Sequence, residues 1–425
     1  MSLRLTKTGW IKKAKKKGEL FMEAILASKL DPGFFEELAG KLNSLDFANC
    51  LACGMCTAGC VFSDVHPHND PRKMLRKIIL GMREEVLNDP FVWYCTMCER
   101  CTIECPMNVN VAAITRALRG KFGLPTAGFI QKVVDDTIET GNQMAVQPDE
   151  YLETLEWIQE ELQAELNDPD YRIPIDVEGA DFLFGLNARE IKYYPNELMK
   201  ILKIFYVAGA NYTLSSRKWD ATNLALFSGK DDDFWKITGP ILEEVVRLKA
   251  KSLVVTECGH AFRSVRWGYR TFWKGPQFPI RFVLELIDEW IQEGRLKLDP
   301  TRNPEPVTLH DPCNIVRKEG VAEPQRRVLK AVCLDFREMT PHKRWNYCCG
   351  AGGGALAMPE YTEQRLLKGR RKVEQLLATG AKVVAISCHN CMDQFNDLNK
   401  HYKLGMRMEH VCSLVERALV MPEKN

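Results

Sequence analysis

The sequence predicts a two-part fold: an all-helical, cysteine-rich module followed by an α/β domain built from two similar halves. Three observations predict it. Eight cysteines fall early into two matched runs, 50–60 and 95–105. From about residue 180, short apolar strand-like runs alternate with longer helical ones, the pattern of a parallel sheet. One segment then repeats: Ala250-Lys-Ser-Leu-Val-Val-Thr-Glu-Cys258-Gly-His-Ala261 resembles Ala381-Lys-Val-Val-Ala-Ile-Ser-Cys388-His-Asn-Cys391.

Residues 20–49 read as a helical lead-in, with Pro32 at a helix start and Phe35, Leu38 and Leu42 at 3–4 spacing. Between the cysteine runs, Pro71 opens a helix that Gly81 ends. Another helix covers 111–122, and a helical connector covers 125–172. In the connector, Leu152, Leu155, Ile158, Leu162 and Leu166 lie at helical spacing with glutamates opposite. The strand-like runs are Ile204–Val207, Ser252–Thr256, Val307–His310 and Lys382–Ser387, and amphipathic helices lie near Ile241–Leu248 and Tyr361–Leu377. The boundaries that follow are 1–44, a basic helical N-terminal segment; 45–124, the helical module; 125–178, an acidic connector; and 179–425, the α/β domain, halved at 300/301.

The 425 residues suit two or three domains. A hydrophobic content of 45% and a charged content of 27% are ordinary for a soluble globular chain. A net charge of +2 excludes strong nucleic-acid binding as a default. No apolar run is long enough to span a bilayer, and no secretory h-region opens the chain. Sixteen cysteines in so long a chain point to metal ligation in a reducing cytoplasm rather than to disulfides. Residues 1–20 carry Arg4, Lys7, Lys12, Lys13, Lys15, Lys16 and Lys17 against Glu19, and fit either an anionic membrane face or a solvated terminus. Residues 133–171 carry twelve acidic residues and no Lys or Arg, which reads as an exposed helix.

Cys50, Cys53, Cys56 and Cys60 form C-x2-C-x2-C-x3-C, and Cys95, Cys98, Cys101 and Cys105 repeat it before Pro106. This is the two-cluster bacterial ferredoxin arrangement, in which each run gives three thiolates to one [4Fe–4S] cluster and its fourth to the other. One cubane is therefore expected on Cys50, Cys53, Cys56 and Cys105, and the second on Cys95, Cys98, Cys101 and Cys60. Two zinc sites are the alternative, but structural zinc uses separated cysteine pairs.

Five more cysteines gather in the last half: Cys313 after a strand, the vicinal pair Cys348-Cys349, and Cys388 with Cys391 after another strand. Open α/β sheets place ligands at that strand edge. The run Cys349-Gly350-Ala-Gly-Gly-Gly354 suggests close approach to a bulky ligand, though it lacks dinucleotide-fingerprint order. Five thiolates exceed a cubane's need, so the pattern reads as an irregular cluster or a cubane with one reactive thiol. Zinc or a redox-active vicinal disulfide are the alternatives. In the first half, Phe227, Ser228 and Ala261 stand where Cys348, Cys349 and Cys391 would be, and Cys258 alone remains.

Cys258, His260 and His389 are the catalytic candidates. The two histidines are read as holding equivalent places in the repeat, and leaving thiolates need protons near neutral pH. His310 is read as ordering the Cys313 loop, Cys333 and Cys412 as structural. Arg263, Arg266 and Arg270 are read as a solvated face or a receptor for an acidic tail.

Cys313, Cys348-Cys349-Gly350 and Cys388-x2-Cys391 resemble the cysteine-rich CCG domain of heterodisulfide reductases. With two ferredoxin runs upstream, the order resembles the D-type subunit of that family. Thr256-Glu-Cys-Gly-His-Ala, His310-Asp-Pro-Cys-Asn and Ser387-Cys-His-Asn-Cys are similar to the DsrK/HmcF/TmcB-type cytoplasmic subunits of transmembrane redox complexes in sulfate-reducing microbes, the TmcB-like kind most of all. The resemblance implies one noncubane [4Fe–4S] cluster on Cys313, Cys348, Cys349, Cys388 and Cys391, acting in thiol/disulfide oxidoreduction. It implies a membrane cytochrome b-type subunit, a periplasmic multihaem cytochrome c and a small sulfur-carrier protein of the DsrC type as partners. It implies sulfate respiration, and a peripheral location on the cytoplasmic face. Two other readings are a pure electron relay, and the iron–sulfur subunit of a flavin-dependent 2-hydroxyacid or glycerol-phosphate dehydrogenase.

Overall fold

A computed structural model describes residues 26–66 and 70–421. The basic stretch 4–20 lies outside the described residues, as does most of the 1–44 segment. Among the described residues, no helix is long and apolar enough to cross a membrane.

The first module is helical, as its sequence predicts. Helices Phe34–Leu42, Pro71–Ile79 and Val111–Lys121 close over a core of Phe34, Leu38, Phe47, Phe62, Leu75, Ile78, Phe91 and Leu118. Pro71 sits in the first turn of its helix, where its missing N–H costs nothing; the Asp70 carboxylate before it accepts the Lys73 N–H at 3.0 Å. Asn110 caps the third helix through Ala113 N–H.

The connector holds helices Ile130–Thr140 and Pro148–Leu166. In the second, Leu155, Ile158, Leu162 and Leu166 face inward as predicted, but Leu152 is 43% exposed. Tyr151 takes the inward place instead, its ring stacked on Trp219 and its hydroxyl on the Ser215 carbonyl. The acidic face is solvated, while the apolar face belongs to the α/β core.

Two four-stranded parallel sheets follow. The first runs β2-β1-β3-β4, with β1 Phe182–Gly185, β2 Tyr212–Thr213, β3 Leu253–Val255 and β4 Ile280–Phe282. The second runs β6-β5-β7-β8, with β5 Val307–His310, β6 Phe336–Arg337, β7 Val383–Ile386 and β8 Arg407–His410. Both sheets therefore place their strands in the same relative order, and one apolar core runs through both. Three expected strands are present, as β3, β5 and β7. Ile204–Val207 is not a strand: it ends the helix Pro195–Val207, where Leu198, Ile201, Leu202 and Phe205 are buried at helical spacing. The expected helix Tyr361–Leu377 is two helices, Thr362–Lys368 and Arg370–Thr379, parted at Gly369, which abuts Leu398.

The module and the α/β part meet backbone to backbone. A Cβ on Gly120 would lie 2.1 Å from the Gly229 carbonyl carbon, and one on Gly229 would lie 2.2 Å from the Arg116 oxygen. The glycine run makes a second close contact. A Cβ on Gly352 would lie 2.6 Å from the Thr96 oxygen, and one on Gly353 would lie 2.4 Å from the Cys95 oxygen. These glycines thus admit the second cysteine run of the same chain, rather than a bulky ligand.

Candidate metal centres and the thiol site

The two cysteine runs adopt one local conformation. Ala52 and Gly54 of the first, and Met97 and Glu99 of the second, all have positive φ, at matching positions. Left-handed backbone is costly for Ala, Met and Glu and persists only where the surroundings enforce it. After each, a one-turn helix follows, Met55–Gly59 and Arg100–Glu104. The two helices touch, and a Cβ on Gly59 would strike the Glu104 carboxylate.

This folding sorts the eight thiols crosswise. Cys50, Cys53 and Cys56 share one cavity with Cys105, and Cys95, Cys98 and Cys101 share another with Cys60. Each cavity thus presents four thiols from the two runs, a donor set that suits a cubane, and the second is lined by Cys348 as well. Burial pushes the Cys56 thiol up to about 11 and the Cys60 thiol up to about 12. Loading metal there must displace protons.

The five C-terminal cysteines are buried together. Cys348 hydrogen-bonds Cys313 and Cys349, Cys349 contacts Cys391 at 3.5 Å, and Cys391 contacts Cys388. Hydrogen bonds from neighbouring thiols draw Cys349 and Cys388 well down and Cys348 down to about 7, while Cys313 and Cys391 move up. Two contacts lead out of this group. Cys98 of the second cavity hydrogen-bonds Cys348, and Cys348 also lines that cavity. At the other end, Cys258 of the first half hydrogen-bonds Cys388 and accepts the Asn187 side-chain amide at 3.3 Å.

His389 Nε2 lies 3.2 Å from Glu190 Oε1. Burial opposes its protonation, but the Glu190 carboxylate prevails and raises its pKa. His260 Nε2 contacts the Asn223 carbonyl at 2.6 Å, and burial lowers its pKa to about 4. Aligned on Cys258 and Cys388, the repeat sets His260 against Asn390 and His389 against Gly259, so the two histidines are offset by one residue rather than equivalent, and their charge preferences are opposite. Phe227 packs on His260, and Ser228 bonds back to the Ala225 carbonyl.

Several residues play parts the sequence did not disclose. His310 does not order the Cys313 loop: its Nδ1 has no hydrogen-bond partner, and the ring offers a nitrogen within 4.8 Å of the Cys349 and Cys391 sulfurs. Asp311 does the ordering, holding Arg326 by two bonds of 2.8–2.9 Å and the Lys343 N–H at 2.6 Å. Arg119 is buried and uses all five donors on carbonyls: Val92, Trp93 and Cys95 of the second run, Phe227 of the first half, and Gly353 of the glycine run. Lys368 donates to the Tyr94 carbonyl. The Arg263, Arg266 and Arg270 face is not free: Arg263 is buried on Glu99, and the other two pair with Glu319. Cys333 and Cys412 are buried, as expected.

Glu257, beside Cys258, accepts the Val411 and Cys412 N–H groups at 3.0 and 2.9 Å at the start of the last helix. Burial raises its pKa from 4.5 to about 8. The folded state thus holds a proton that the unfolded chain gives up above its ordinary range. The stabilisation is full below pH 4.5 and is lost as pH rises through about 8. Thermal stability is expected to fall between about pH 5 and 8 and to level off above that, and to fall less in Glu257→Gln, by melting curves of the anaerobic protein. Parallel curves for the two proteins would refute the assignment.

Comparison with known families fits this arrangement. The 4Fe-4S dicluster domain matches residues 46–109 and the cysteine-rich CCG domain matches residues 307–396. The D subunit of the dihydromethanophenazine:CoB–CoM heterodisulfide reductase of Methanosarcina barkeri is 24% identical, over 87% of this chain and 93% of that protein. The chain resembles heterodisulfide reductase D subunits over most of its length. The Hdr-like menaquinol oxidoreductase iron-sulfur subunit 2 of Archaeoglobus fulgidus is 25% identical to this D-like chain, over 88% of it and 79% of the relative. A probable membrane-anchored ferredoxin of Chromohalobacter salexigens is 26% identical over 82% of the D-like chain, which spans only 56% of that relative. The D-like chain is thus an iron–sulfur electron-transfer protein whose motifs lie where its cavities lie.

Proposed function

We propose that the chain is the iron–sulfur subunit of a membrane-bound redox complex and exchanges electrons with a thiol/disulfide couple. Cys50, Cys53, Cys56 and Cys105 would hold one cubane [4Fe–4S] cluster, and Cys60, Cys95, Cys98 and Cys101 the second. Cys313, Cys348, Cys349, Cys388 and Cys391 would hold a noncubane cluster, with His310 beside it. Bound there, the clusters would supply electrons singly. The observation that carries the reading is the Cys98–Cys348 contact, which brings the second cavity against the five-thiol site.

The reaction is RSSR + 2 e⁻ + 2 H⁺ → 2 RSH, or its reverse. A cleft beside the thiol site is lined by Phe129, Met144, Arg189, His260, Ala351 and Asn390, among others. Its apolar wall would receive the substrate's carbon chain. Arg189, held by Asn390 and Asp393 at 2.9 Å each, would orient a polar end. His389, which faces Glu190 one residue from Cys388, would hold a proton at Nε2. Cys258 would add a sixth thiol at the far end. The matching strand orders support reading 179–300 and 301–425 as duplicated halves, the first having lost its thiols. The partners would be a cytochrome b-type membrane subunit, through it a multihaem cytochrome c, and a sulfur-carrier protein on the cytoplasmic face.

The test is oxidation of a reduced viologen by the anaerobic protein with a small carboxylated disulfide present. Disulfide-dependent turnover is expected, absent in Cys388→Ala and with a raised KM in Arg189→Leu. Clusters that reduce normally without disulfide-dependent turnover would leave an electron relay instead.

A further inference from the structure

A cleft of about 500 Å³ opens where the helix Val111–Lys121 faces the helix Gly259–Thr271. That volume falls within the roughly 300–1,000 Å³ of small-molecule sites. Its charges are unbalanced. Asp231 is shared by Arg116 at 2.7 Å and Lys121 at 3.2 Å. Glu99 is shared by Arg263 and Lys318, and Glu319 by Arg266 and Arg270. Each of these carboxylates thus meets two cations, which leaves positive charge over at all three. Arg116 is the sharpest case. It lies over the Trp267 ring, donates to the Leu226 carbonyl and Asp231, and still has a buried Nη2 with no hydrogen-bond partner. A buried charged donor without an acceptor is costly. The cleft also adjoins the second cysteine cavity, for Glu99 and Ala112 line both.

We infer that this cleft binds a small oxyanionic molecule, a phosphate ester or a polycarboxylate, beside the second cluster site. Arg116 Nη2 would donate to it, with Lys121 and Lys318 supplying charge. A bound anion there would make the neighbouring cluster harder to reduce, since added negative charge disfavours an added electron. The site would thereby tie electron flow to the concentration of a metabolite other than the thiol substrate.

The experiment is calorimetric titration of the anaerobic, cluster-loaded protein with pyrophosphate and, separately, citrate. One saturable site for either probe is expected, and which probe binds tells phosphate from carboxylate chemistry. Arg116→Gln should weaken binding by about tenfold or more, as loss of a charged hydrogen bond predicts. Lys121→Glu, at a more exposed side chain, carries the same test should Arg116→Gln fail to load iron. EPR-monitored titration should show one cubane potential moving down when the probe saturates, and not moving in the variants. No saturable binding of either probe would overturn the inference. So would binding that both variants retain, or variants that shift the cubane potential while the wild type binds nothing. In that last case the cations would serve only to offset the cluster's own charge.

Discussion

Replacing Cys348 and Cys349 together with alanine is expected to lower the iron content from about twelve atoms per chain to about eight, with labile sulfide falling in step, as for three [4Fe–4S] clusters reduced to two. The two thiols stand at the middle of the buried group, each in contact with at least two others. Removing them splits Cys313 from Cys388 and Cys391, so no four-thiol set remains on that side. The eight upstream cysteines keep their crosswise cavities, so about eight irons should stay. The measurement is iron and sulfide on anaerobically purified protein, with EPR of the reduced state as a check. Eight irons in both proteins would mean that the C-terminal thiols hold no cluster, and the thiol chemistry proposed above would fall. Twelve in both would mean that the vicinal pair is not its holder.

The second large effect is expected at Arg119. Its guanidinium satisfies five carbonyls from three separate segments at 2.7–3.0 Å. Burial lowers its pKa only to about 10, so it stays charged near neutrality. Arg119→Met keeps the apolar stem and removes every donor. Hydrogen bonds to a charged group contribute about 1.5–3 kcal/mol each, so losing two without replacement costs about 3 kcal/mol or more. The readout is bleaching of the visible cluster absorbance against denaturant, since a metal-loaded chain of two parts has no single unfolding free energy. The midpoint should fall clearly, and electron transfer from the cubanes to the thiol site should slow. A variant that bleaches with the wild type would show that water or neighbouring groups replace the guanidinium.

Much of this molecule is legible from sequence because its chemistry is written in rigid spacing. C-x2-C-x2-C-x3-C can only wrap one way, and the structure repeats the wrap residue for residue. Pro71 and the strands at Leu253, Val307 and Val383 are legible because local preference and burial agree there. Ile204–Val207 misleads because Ile-Phe-Tyr-Val favours strand locally, while Pro195 and the apolar period behind it decide for helix. His310 was readable in part, since it ends a strand directly before Asp-Pro-Cys313, but nothing local points its ring at Cys349 and Cys391. Arg119 leaves no signal at all. An arginine on an amphipathic helix reads as solvent-facing, and its five acceptors lie up to 234 residues away.

The glycine run bears on what counts as a separable piece of this protein. Family boundaries cut the chain into a dicluster stretch and a cysteine-rich stretch, as though each were a cartridge. The seam is drawn elsewhere. Gly352 and Gly353 leave no room for a side chain between the two stretches, and Cys95 and Thr96 present bare backbone to them. Excising residues 45–124 would strand those carbonyls in water and take Arg119 from two of its acceptors. Transplanting either stretch onto another scaffold would require carrying the facing surface with it. The inheritable module here is the joint, and natural variation in the sequence should be slowest along that joint rather than within either named stretch.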